Sequence, residues 1–301
     1  MIRTVTDNRV QLAESVRLSS TCAALFILAK PGIVAAVALS GFTGMVVAAR
    51  GLPAPEIALP CVASLLLMSA GSAITNSVLD RRMDKQMERL KIRSAALRQV
   101  GSRPALATAI ALTTAAVTLA AALLNIRTVL LLIAAALSYT LYYTLFLKRH
   151  THWAAVLGAL PGAFPVLIGH AAVTAKPDWA SFGLFLIMLV WQPPHFWLLS
   201  LSHREEYRAA GVPVLPLVKG DLFTKHCIYL GIASLVPASL LLRYLGPCST
   251  GYAICAFLLG SCYLFTCQHF TANGAKSRVA FRCSIAYILL LFTLIIADLC
   301  L

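Results

Sequence analysis

Residues 55–93 read PEIALPCVASLLLMSAGSAITNSVLDRRMDKQMERLKIR, and this stretch contains both features that decide the fold. Its first part, residues 55–76, is a mostly apolar run about as long as a helix that crosses the hydrocarbon core of a bilayer. Its second part, residues 76–93, carries nine charged residues in eighteen positions. An apolar run that ends in a basic, charged segment is typical of a transmembrane helix that leaves the bilayer on its cytoplasmic side.

The composition of the whole chain is that of an integral membrane protein. Hydrophobic residues make up 59% of the 301 residues, charged residues make up 12%, and the mean hydropathy is +0.82. Soluble domains carry about 25% charged residues, roughly twice as many. No segment alternates strongly between apolar and polar residues, so a transmembrane β-barrel is not expected. The sequence therefore predicts an all-α integral membrane protein.

Apolar runs between polar breaks predict nine transmembrane helices. With a cytoplasmic N-terminus, 21 of the 25 lysine and arginine residues fall on the cytoplasmic side and 4 on the other. A missed or extra span would destroy this positive-inside asymmetry, which puts the C-terminus on the opposite side. We expect residues 1–30 to form a cytoplasmic N-terminal segment and residues 31–301 to form the intramembrane domain. The predicted spans are residues 31–49, 55–76, 104–124, 128–147, 153–173, 179–200, 226–245, 250–270 and 279–299.

The net charge of +14 follows mostly from this topology. The basic residues flank helices and form no soluble module, so a nucleic-acid partner is not expected. A basic membrane face does attract anionic lipid or an anionic substrate. Two long polar loops follow the second and sixth spans, at residues 77–103 and 201–225, which predicts two comparable lobes that face a common centre.

Asn76, Asp80 and Asp84 are spaced four residues apart, and Glu88 continues the series. On a helix these side chains would form a slowly drifting stripe at the cytoplasmic end of the second span. Like charges at this spacing destabilise an isolated helix by about 0.2–0.5 kcal/mol per pair, which argues against a merely solvated face. Opposite charges also meet three residues apart, so the solvated face remains an alternative. Two carboxylates and an amide one turn apart suit Mg²⁺, which completes its octahedron with water and phosphate oxygens.

Basic residues beside these acids are candidates for binding phosphate, because arginine forms forked hydrogen bonds with phosphate oxygens. The ligand inferred from both sets is a diphosphate bridged by Mg²⁺, with an apolar tail among the helices. Ionisation of an allylic diphosphate needs this arrangement. Metal and cations stabilise the departing diphosphate, and a cavity poor in water protects the carbocation.

The spacing NxxxDxxxD resembles the first acidic motif of the UbiA-type intramembrane prenyltransferases. Four further stretches, together with DRRMDKQMERLKIR, resemble the heme-directed branch of that superfamily, the protoheme IX farnesyltransferases or heme O synthases. The resemblance covers residues 30–300, about nine-tenths of the chain, with the stretches in the family's order. These stretches are LSYTLYYTLFLKR (137–149), GALPGAFPVLIGHAAVT (158–174), WQPPHFW (191–197) and EYRAAGVPVLPLVKG (206–220).

The resemblance implies a bundle of nine helices around a central cavity, with Mg²⁺ as cofactor and farnesyl diphosphate and heme B as substrates. The farnesyl group would pass to a heme vinyl carbon, and water would complete the side chain of heme O. The implied location is the bacterial cytoplasmic (inner) membrane, in contact with membrane lipid. A downstream heme-modifying enzyme or an assembling heme–copper oxidase is a candidate partner for the product.

Matched by position to the family, Asn76, Asp80 and Asp84 are the expected Mg²⁺ ligands. Asp80, Asp84, Lys148 and His195 are the expected catalytic residues. The expected substrate-binding residues are Arg81, Lys85, Lys91, Arg93, Tyr139, Tyr143, Arg149, His203, Glu206 and Tyr207.

His195 follows Pro193 and Pro194 near the end of the sixth predicted span. Adjacent prolines cannot continue a regular helical hydrogen-bond ladder, and in a membrane such a break is tolerated where it is buried in protein or lines a cavity. An imidazole here could ligate heme iron, contact a propionate or transfer a proton. A core histidine bonded to the freed backbone is the alternative.

The chain departs from the family pattern at a few positions. Leu90 and Ser94 stand where a threonine and a proline are usual. Glu206 replaces the usual aspartate, and no second DxxxD motif occurs in its loop. Two other functions remain open: prenylation of an aromatic quinone precursor, and transport of heme or lipid without chemistry. Transporters place polar sites at broken helices near the midplane, whereas these charges cluster at one face.

Overall fold

The computed structural model describes residues 20–174, 176, 178–272 and 276–301. Within these residues nine helices are long and apolar enough to cross a membrane, and no strand occurs. The predicted all-α architecture with nine spans is therefore confirmed. In chain order the helices are α1 (Pro31–Ala49), α2 (Pro55–Leu79), α3 (Ser102–Leu123), α4 (Ile126–His150), α5 (Ala154–Val173), α6 (Trp179–Ser202), α7 (Gly220–Tyr244), α8 (Thr250–Thr271) and α9 (Ser277–Cys300).

Several helix boundaries differ from the predicted ones. Helix α2 ends at Leu79 rather than residue 76, α7 begins at Gly220 rather than residue 226, and α4 ends at His150 rather than residue 147. Apolar runs mark only the part of a helix that suits hydrocarbon. A helix continues beyond that part because its backbone groups still bond to one another when its side chains become polar. The predicted spans are therefore too short at the helix ends that carry charged residues.

Short helices occupy the connections on the side of the charged stretch. Thr21–Ala29 precedes α1 and packs on the helix Lys91–Val100 and on α2. The remaining short helices are Arg81–Asp84, the 3₁₀ turn Glu88–Leu90, Arg204–Ala209 and Leu215–Val218. Of the predicted N-terminal segment, residues 1–19 lie outside the described residues.

The buried apolar residues form two main clusters. One cluster is formed by the five helices α1 through α5 and includes Met45, Leu65 and Leu132. The other is formed by the four helices α6 through α9, with α1 and α5 along its edge, and includes Leu184, Leu235 and Leu291. Helices α1 and α5 contribute to both clusters, so they form the seam between two groups of helices.

Glycine permits the close approach of α1 and α5 at this seam. A Cβ atom on Gly169 would lie 1.8 Å from the carbonyl oxygen of Gly41, and one on Gly44 would lie 2.1 Å from that of Val166. Neither contact is sterically possible, so only glycine fits.

The two long polar loops, from which two comparable lobes were predicted, contact each other. We call residues 80–101 the first loop and residues 203–219 the second loop. Met87 of the first loop is buried against Tyr207, Val212 and Val214 of the second loop, with Phe196 of α6 beside them. This small apolar cluster covers one end of the helix bundle.

Candidate active site

The acidic residues of the first loop begin where α2 ends. Asp80 caps α2 with φ −87° and ψ 3°, and its amide nitrogen donates to the carbonyl of Asn76 at 2.9 Å. The amide of Asp84 donates in turn to the carbonyl of Asp80 at 2.9 Å. The helical spacing predicted for Asn76, Asp80 and Asp84 is therefore kept, although α2 itself has ended.

The predicted stripe was wrong beyond Asp84. Met87 is extended, with φ −107° and ψ 115°, and a new 3₁₀ turn begins at Glu88. The Glu88 side chain is 70% exposed and pairs with Lys91 at 2.5 Å. The continuous helix is interrupted because Met87 turns inward to join the apolar cluster between the two loops. Lys91, predicted to bind substrate, therefore has an acidic partner outside the Asn76–Asp84 series.

Asp80 is completely buried and is contacted by polar groups from α2 and α4. Its Oδ2 atom accepts hydrogen bonds from Lys148 Nζ at 2.5 Å and from Asn76 Nδ2 at 2.9 Å. Arg149 Nη2 lies 3.7 Å from Oδ1 and donates to the carbonyl of Leu79 at 3.2 Å. The Oδ1 atom has no hydrogen-bond partner among the described residues. A buried carboxylate oxygen without a partner is costly, and it suits a metal ion or another ligand.

Asp84 is also buried, and its Oδ1 atom lies 2.6 Å from Arg93 Nη2. Burial raises the pKa of Asp84 above its ordinary value, and the nearby cations Arg93 and Lys148 offset only part of this effect. Lys30, just before α1, donates to Asn76 Oδ1. Burial, with the neighbouring charges of Arg93 and Lys148, lowers the pKa of Lys30 to about 7. Both shifts have burial as their largest cause, so this group of charges is shielded from bulk water.

A cleft of about 190 Å³ opens beside Asp84. The predicted substrate-binding residues Arg81, Lys85 and Arg93 line it, together with Ser77 and Asp84. Three basic side chains around one carboxylate form a site for an anion that carries its own cation. Mg²⁺ held by a diphosphate is such an anion.

The segment of α4 nearest the acids is a π-helix, Ser138–Leu147. Its wider turn brings the rings of Tyr139 and Tyr143 into a stack with centroids 6.0 Å apart and an interplanar angle of 15°. Thr144 Oγ1 donates to the carbonyl of Tyr139 at 2.8 Å and accepts from Asn76 Nδ2 at 3.1 Å. The π-helix thus joins two predicted substrate-binding tyrosines to the acidic series, and Lys148 follows at its end. π-Helical segments are rare and frequent at functional sites.

The predicted residues of the second loop form a network with Arg89. Glu206 Oε1 lies 3.1 Å from Nδ1 of His203, and its Oε2 lies 3.3 Å from Nε of Arg89. The guanidinium of Arg89 also lies over the ring of Tyr207, 5.0 Å from the centroid. His203, Glu206 and Tyr207 are therefore brought together, and Arg89 connects them to the first loop.

His195 lies apart from the acids, between α6 and α9. Helix α6 continues through Pro193 and Pro194, so the predicted break does not occur. The ring is stacked on Trp191 and Phe281, and Nδ1 lies 2.6 Å from Ser284 Oγ. Its partner is thus a side chain of α9 rather than backbone freed by the prolines.

The sequence matches a known protein family over most of its length. The model of the UbiA prenyltransferase family matches residues 37–295. The chain belongs to the UbiA prenyltransferase family. Within this family it is 44% identical over 256 residues to a protoheme IX farnesyltransferase of Geotalea uraniireducens, covering 85% of this chain and 99% of the relative. It is 34% identical over 273 residues to the protoheme IX farnesyltransferase of Aquifex aeolicus, covering 90% and 94%.

Solved structures of UbiA proteins have the same fold. A UbiA homologue from Archaeoglobus fulgidus bound to DMAPP and Mg²⁺ superposes with a TM-score of 0.72 at 15% identity, covering 91% of this chain and 98% of that one. A digeranylgeranylglyceryl phosphate synthase gives a TM-score of 0.75 at 14% identity, covering 93% and 98%. Nine apolar helices in the described residues and membership of this family indicate an integral, multi-pass membrane protein.

The donor set of this UbiA chain fits a Mg²⁺ ion. No group of three or more His, Cys, Asp or Glu side chains that could hold a metal occurs in the part of the chain that the structure describes. Mg²⁺ requires fewer, since one or two carboxylates with phosphate oxygens and water complete its shell. Asp80, Asp84 and the amide of Asn76 supply these ligand types, and Asp80 Oδ1 has no hydrogen bond to lose.

Three residues of the site are not among those predicted from the sequence. They are Lys30, Thr144 and Arg89. Lys30 precedes Pro31, but its left-handed backbone (φ 56°, ψ 64°) is not the extended conformation that a following proline favours, so this neighbour gave no usable signal. Nothing local in the sequence pairs Thr144 with Asn76.

Proposed function

We propose that this UbiA protein transfers the farnesyl group of farnesyl diphosphate to a vinyl group of heme B. Water addition would complete heme O, and diphosphate would leave. The observation that carries the proposal is the buried set of Asn76, Asp80 and Lys148, which joins an acidic turn to a cation on α4. The similarity to protoheme IX farnesyltransferases over 85% of the chain supports heme as the acceptor.

The donor diphosphate would bind at the first loop. Asn76, Asp80 and Asp84 would hold Mg²⁺, which neutralises charge on the leaving diphosphate when bound. Lys148 Nζ lies 2.5 Å from Asp80 Oδ2, and Arg93 Nη2 lies 2.6 Å from Asp84 Oδ1. When the two carboxylates bind the metal instead, these cations would contact phosphate oxygens. Arg81, Lys85 and Arg149 would add charge at the edge of this site.

The carbocation that forms when the diphosphate leaves must be kept from water. The stacked rings of Tyr139 and Tyr143 lie next to the acidic series through Thr144 and Asn76. Aromatic faces attract cations, and more strongly where water is excluded. These two rings would direct the allylic cation toward the acceptor.

The acceptor would lie under the second loop, near His203, Glu206 and Tyr207. The protein would lie in the bacterial cytoplasmic membrane with its N-terminus in the cytoplasm, which puts both polar loops on the side where substrates are made. The positive-inside distribution of 21 to 4 supports this orientation.

The test is a direct assay of the reaction. Purified protein in detergent receives Mg²⁺, farnesyl diphosphate and heme B, and extracted heme is analysed by mass spectrometry. The expected product is a heme heavier by one farnesyl group plus one hydroxyl group, because the second proton of the added water leaves with diphosphate. A parallel reaction contains 4-hydroxybenzoate in place of heme. Prenylation of that acceptor alone, or no covalent product in either reaction while an active control enzyme works, would rule out the proposal.

A further inference from the structure

The ring of His195 is held in one plane by two aromatic neighbours. Trp191 stacks on it with centroids 4.4 Å apart at 19°, and Phe281 does so at 4.6 Å and 26°. One neighbour lies on the same helix and the other on α9. Both faces of the imidazole are therefore covered, and only its edges are open to a hydrogen bond or a ligand.

The hydrogen bonds of Ser284 decide which ring nitrogen carries the proton. Ser284 Oγ lies 2.6 Å from His195 Nδ1 and also donates to the carbonyl of Phe281 at 2.6 Å. A hydroxyl has one proton, and here that proton is used on the carbonyl. Ser284 Oγ must then accept from Nδ1–H. In the neutral ring, the lone pair is consequently on Nε2.

The Nε2 atom of His195 is available to a ligand. It makes no hydrogen bond to any of the described residues, and it is not one of the fully enclosed polar atoms that lack a partner. No polar group of the described residues therefore occupies this nitrogen.

The surroundings of His195 are those of a metal-binding imidazole rather than of a catalytic base. A base needs a group that stabilises the imidazolium, usually a carboxylate. No carboxylate contacts His195 among the described residues, and the hydrogen-bond chain through Ser284 ends on a carbonyl, which cannot take a proton. Metal-binding histidines instead have the other ring N–H tied to a fixed acceptor. Ser284 is fixed further, since its carbonyl accepts from Trp191 Nε1 at 2.9 Å.

The position of His195 suits the acceptor of the proposed reaction. The next residue, Phe196, packs edge-on against Tyr207 of the second loop, with centroids 6.1 Å apart. Tyr207 in turn contacts Arg89 and Met87 of the first loop. His195 therefore lies at the same end of the bundle as the acidic residues.

We propose that His195 Nε2 ligates the iron of the heme substrate, with Ser284 as the residue that fixes its tautomer. This inference rests on the proposed function, because heme is the acceptor there. Ligation at one nitrogen would fix the distance of the porphyrin from α6. The vinyl groups at the porphyrin edge would then face the donor site in a limited set of positions.

The test uses heme-binding spectra of the full chain without farnesyl diphosphate. Wild-type protein with reduced heme B should show the iron–histidine stretching band in resonance Raman spectra. His195→Gly should lose this band, and added imidazole should restore it. Ser284→Ala should keep the band and weaken heme binding about 10-fold or more, as expected when the partner of a ligating histidine is removed. His269→Ala, on the exposed face of α8, is the matched control and should match wild type.

The outcomes separate this inference from the proposed function. A band that persists in His195→Gly would overturn the inference, even if the wild-type protein farnesylates heme. The same holds if wild-type protein turns over heme without any iron–histidine band. Failure of wild-type protein to farnesylate heme would remove the proposed function, whatever the spectra show. Restoration of the band by imidazole excludes misfolding as the reason for its loss.

Discussion

Arg89 of the first loop lies 3.3 Å from a carboxylate oxygen of Glu206 in the second loop. Both side chains are about one-fifth exposed, at 23% and 21%, so water screens this pair less than it screens a surface pair. The contact joins two loops that are more than a hundred residues apart in the chain. It lies above the apolar cluster of Met87 and Tyr207, and so closes the end of the bundle that contains the acidic residues.

The Arg89–Glu206 pair should show energetic coupling. Arg89→Ala and Glu206→Ala should each lower the thermal stability of the protein in detergent, and the double variant should lose less than the sum. We expect a coupling of about 0.5–3 kcal/mol, the range for directly contacting residues. The exposed pair Arg208–Glu205 on the second loop is the control and should show less than about 1 kcal/mol. Equal coupling in both pairs would mean that the interloop contact has no special role.

The two aspartates should be essential for turnover but not for folding. Asp80→Asn and Asp84→Asn should each lower kcat/KM for farnesyl diphosphate at least about 100-fold, because each loses metal-dependent stabilisation of several kcal/mol. Glu88→Gln should leave kcat/KM within about threefold of wild type, since its side chain is 70% exposed and lies outside the Asn76–Asp84 series. Steady-state kinetics over a Mg²⁺ titration, with a melting curve for each variant, would measure this. Retained turnover in both aspartate variants would refute the metal assignment.

Lys30 should contribute to binding of the diphosphate. Lys30 donates to Asn76 Oδ1, and in the protonated form, below its pKa of about 7, this charge-assisted hydrogen bond is worth about 1.5–3 kcal/mol. Lys30→Met should raise KM for farnesyl diphosphate about 10-fold or more and leave KM for heme unchanged, whereas Lys30→Arg should recover part of the loss. Lys276→Met removes an equal charge from the loop before α9 and should change neither constant. A similar rise in KM for farnesyl diphosphate in Lys276→Met would mean that the effect of Lys30 comes only from general surface charge.

The seam between α1 and α5 should not tolerate a methyl group. Gly169→Ala would place Cβ 1.8 Å from the carbonyl of Gly41 and should destabilise the protein by about 1–3 kcal/mol, as overpacking does. Gly32→Ala is the matched control, because a Cβ there meets nothing within 4 Å. Melting temperatures in detergent would compare the two. Equal melting temperatures for the two variants would show that α1 and α5 can move apart with little loss of stability.

The chain termini should lie on opposite sides of the membrane. A C-terminal alkaline phosphatase fusion should be active, because that enzyme needs the oxidising space outside the cytoplasm. A fusion at residue 102, after the first loop, should be inactive. The reverse pattern would invert the orientation predicted from the lysine and arginine distribution.

The number of helices could be predicted because each span is a long apolar run and the basic residues fall between alternate runs. Helix ends could not be predicted to the residue, as Leu79 and Gly220 show. An apolar run marks the part of a helix that lies in hydrocarbon, whereas the helix ends where its backbone hydrogen bonds end. The turn at Met87 could not be predicted either, because it depends on the contact of Met87 with Tyr207, which lies in a distant loop.

The acidic half of the site was predictable because its residues recur every four positions along one stretch. The structure adds cations from elsewhere, Lys30 at 46 positions from Asn76 and Lys148 at 68 positions from Asp80. Lys148 was anticipated only through the family resemblance, and Lys30 was not anticipated. Ser284, 89 positions from His195, carries no signal at all in its own surroundings.

The π-helical segment of α4 sets the rotational phase of everything that follows it. If the same ten residues, Ser138–Leu147, relaxed to ordinary α-helical bonding, the tighter turn would rotate Lys148 around the helix axis. Lys148 would then leave Asp80, although no residue of the acidic series had changed. The wide turn of this segment is therefore as much a part of the site as its side chains.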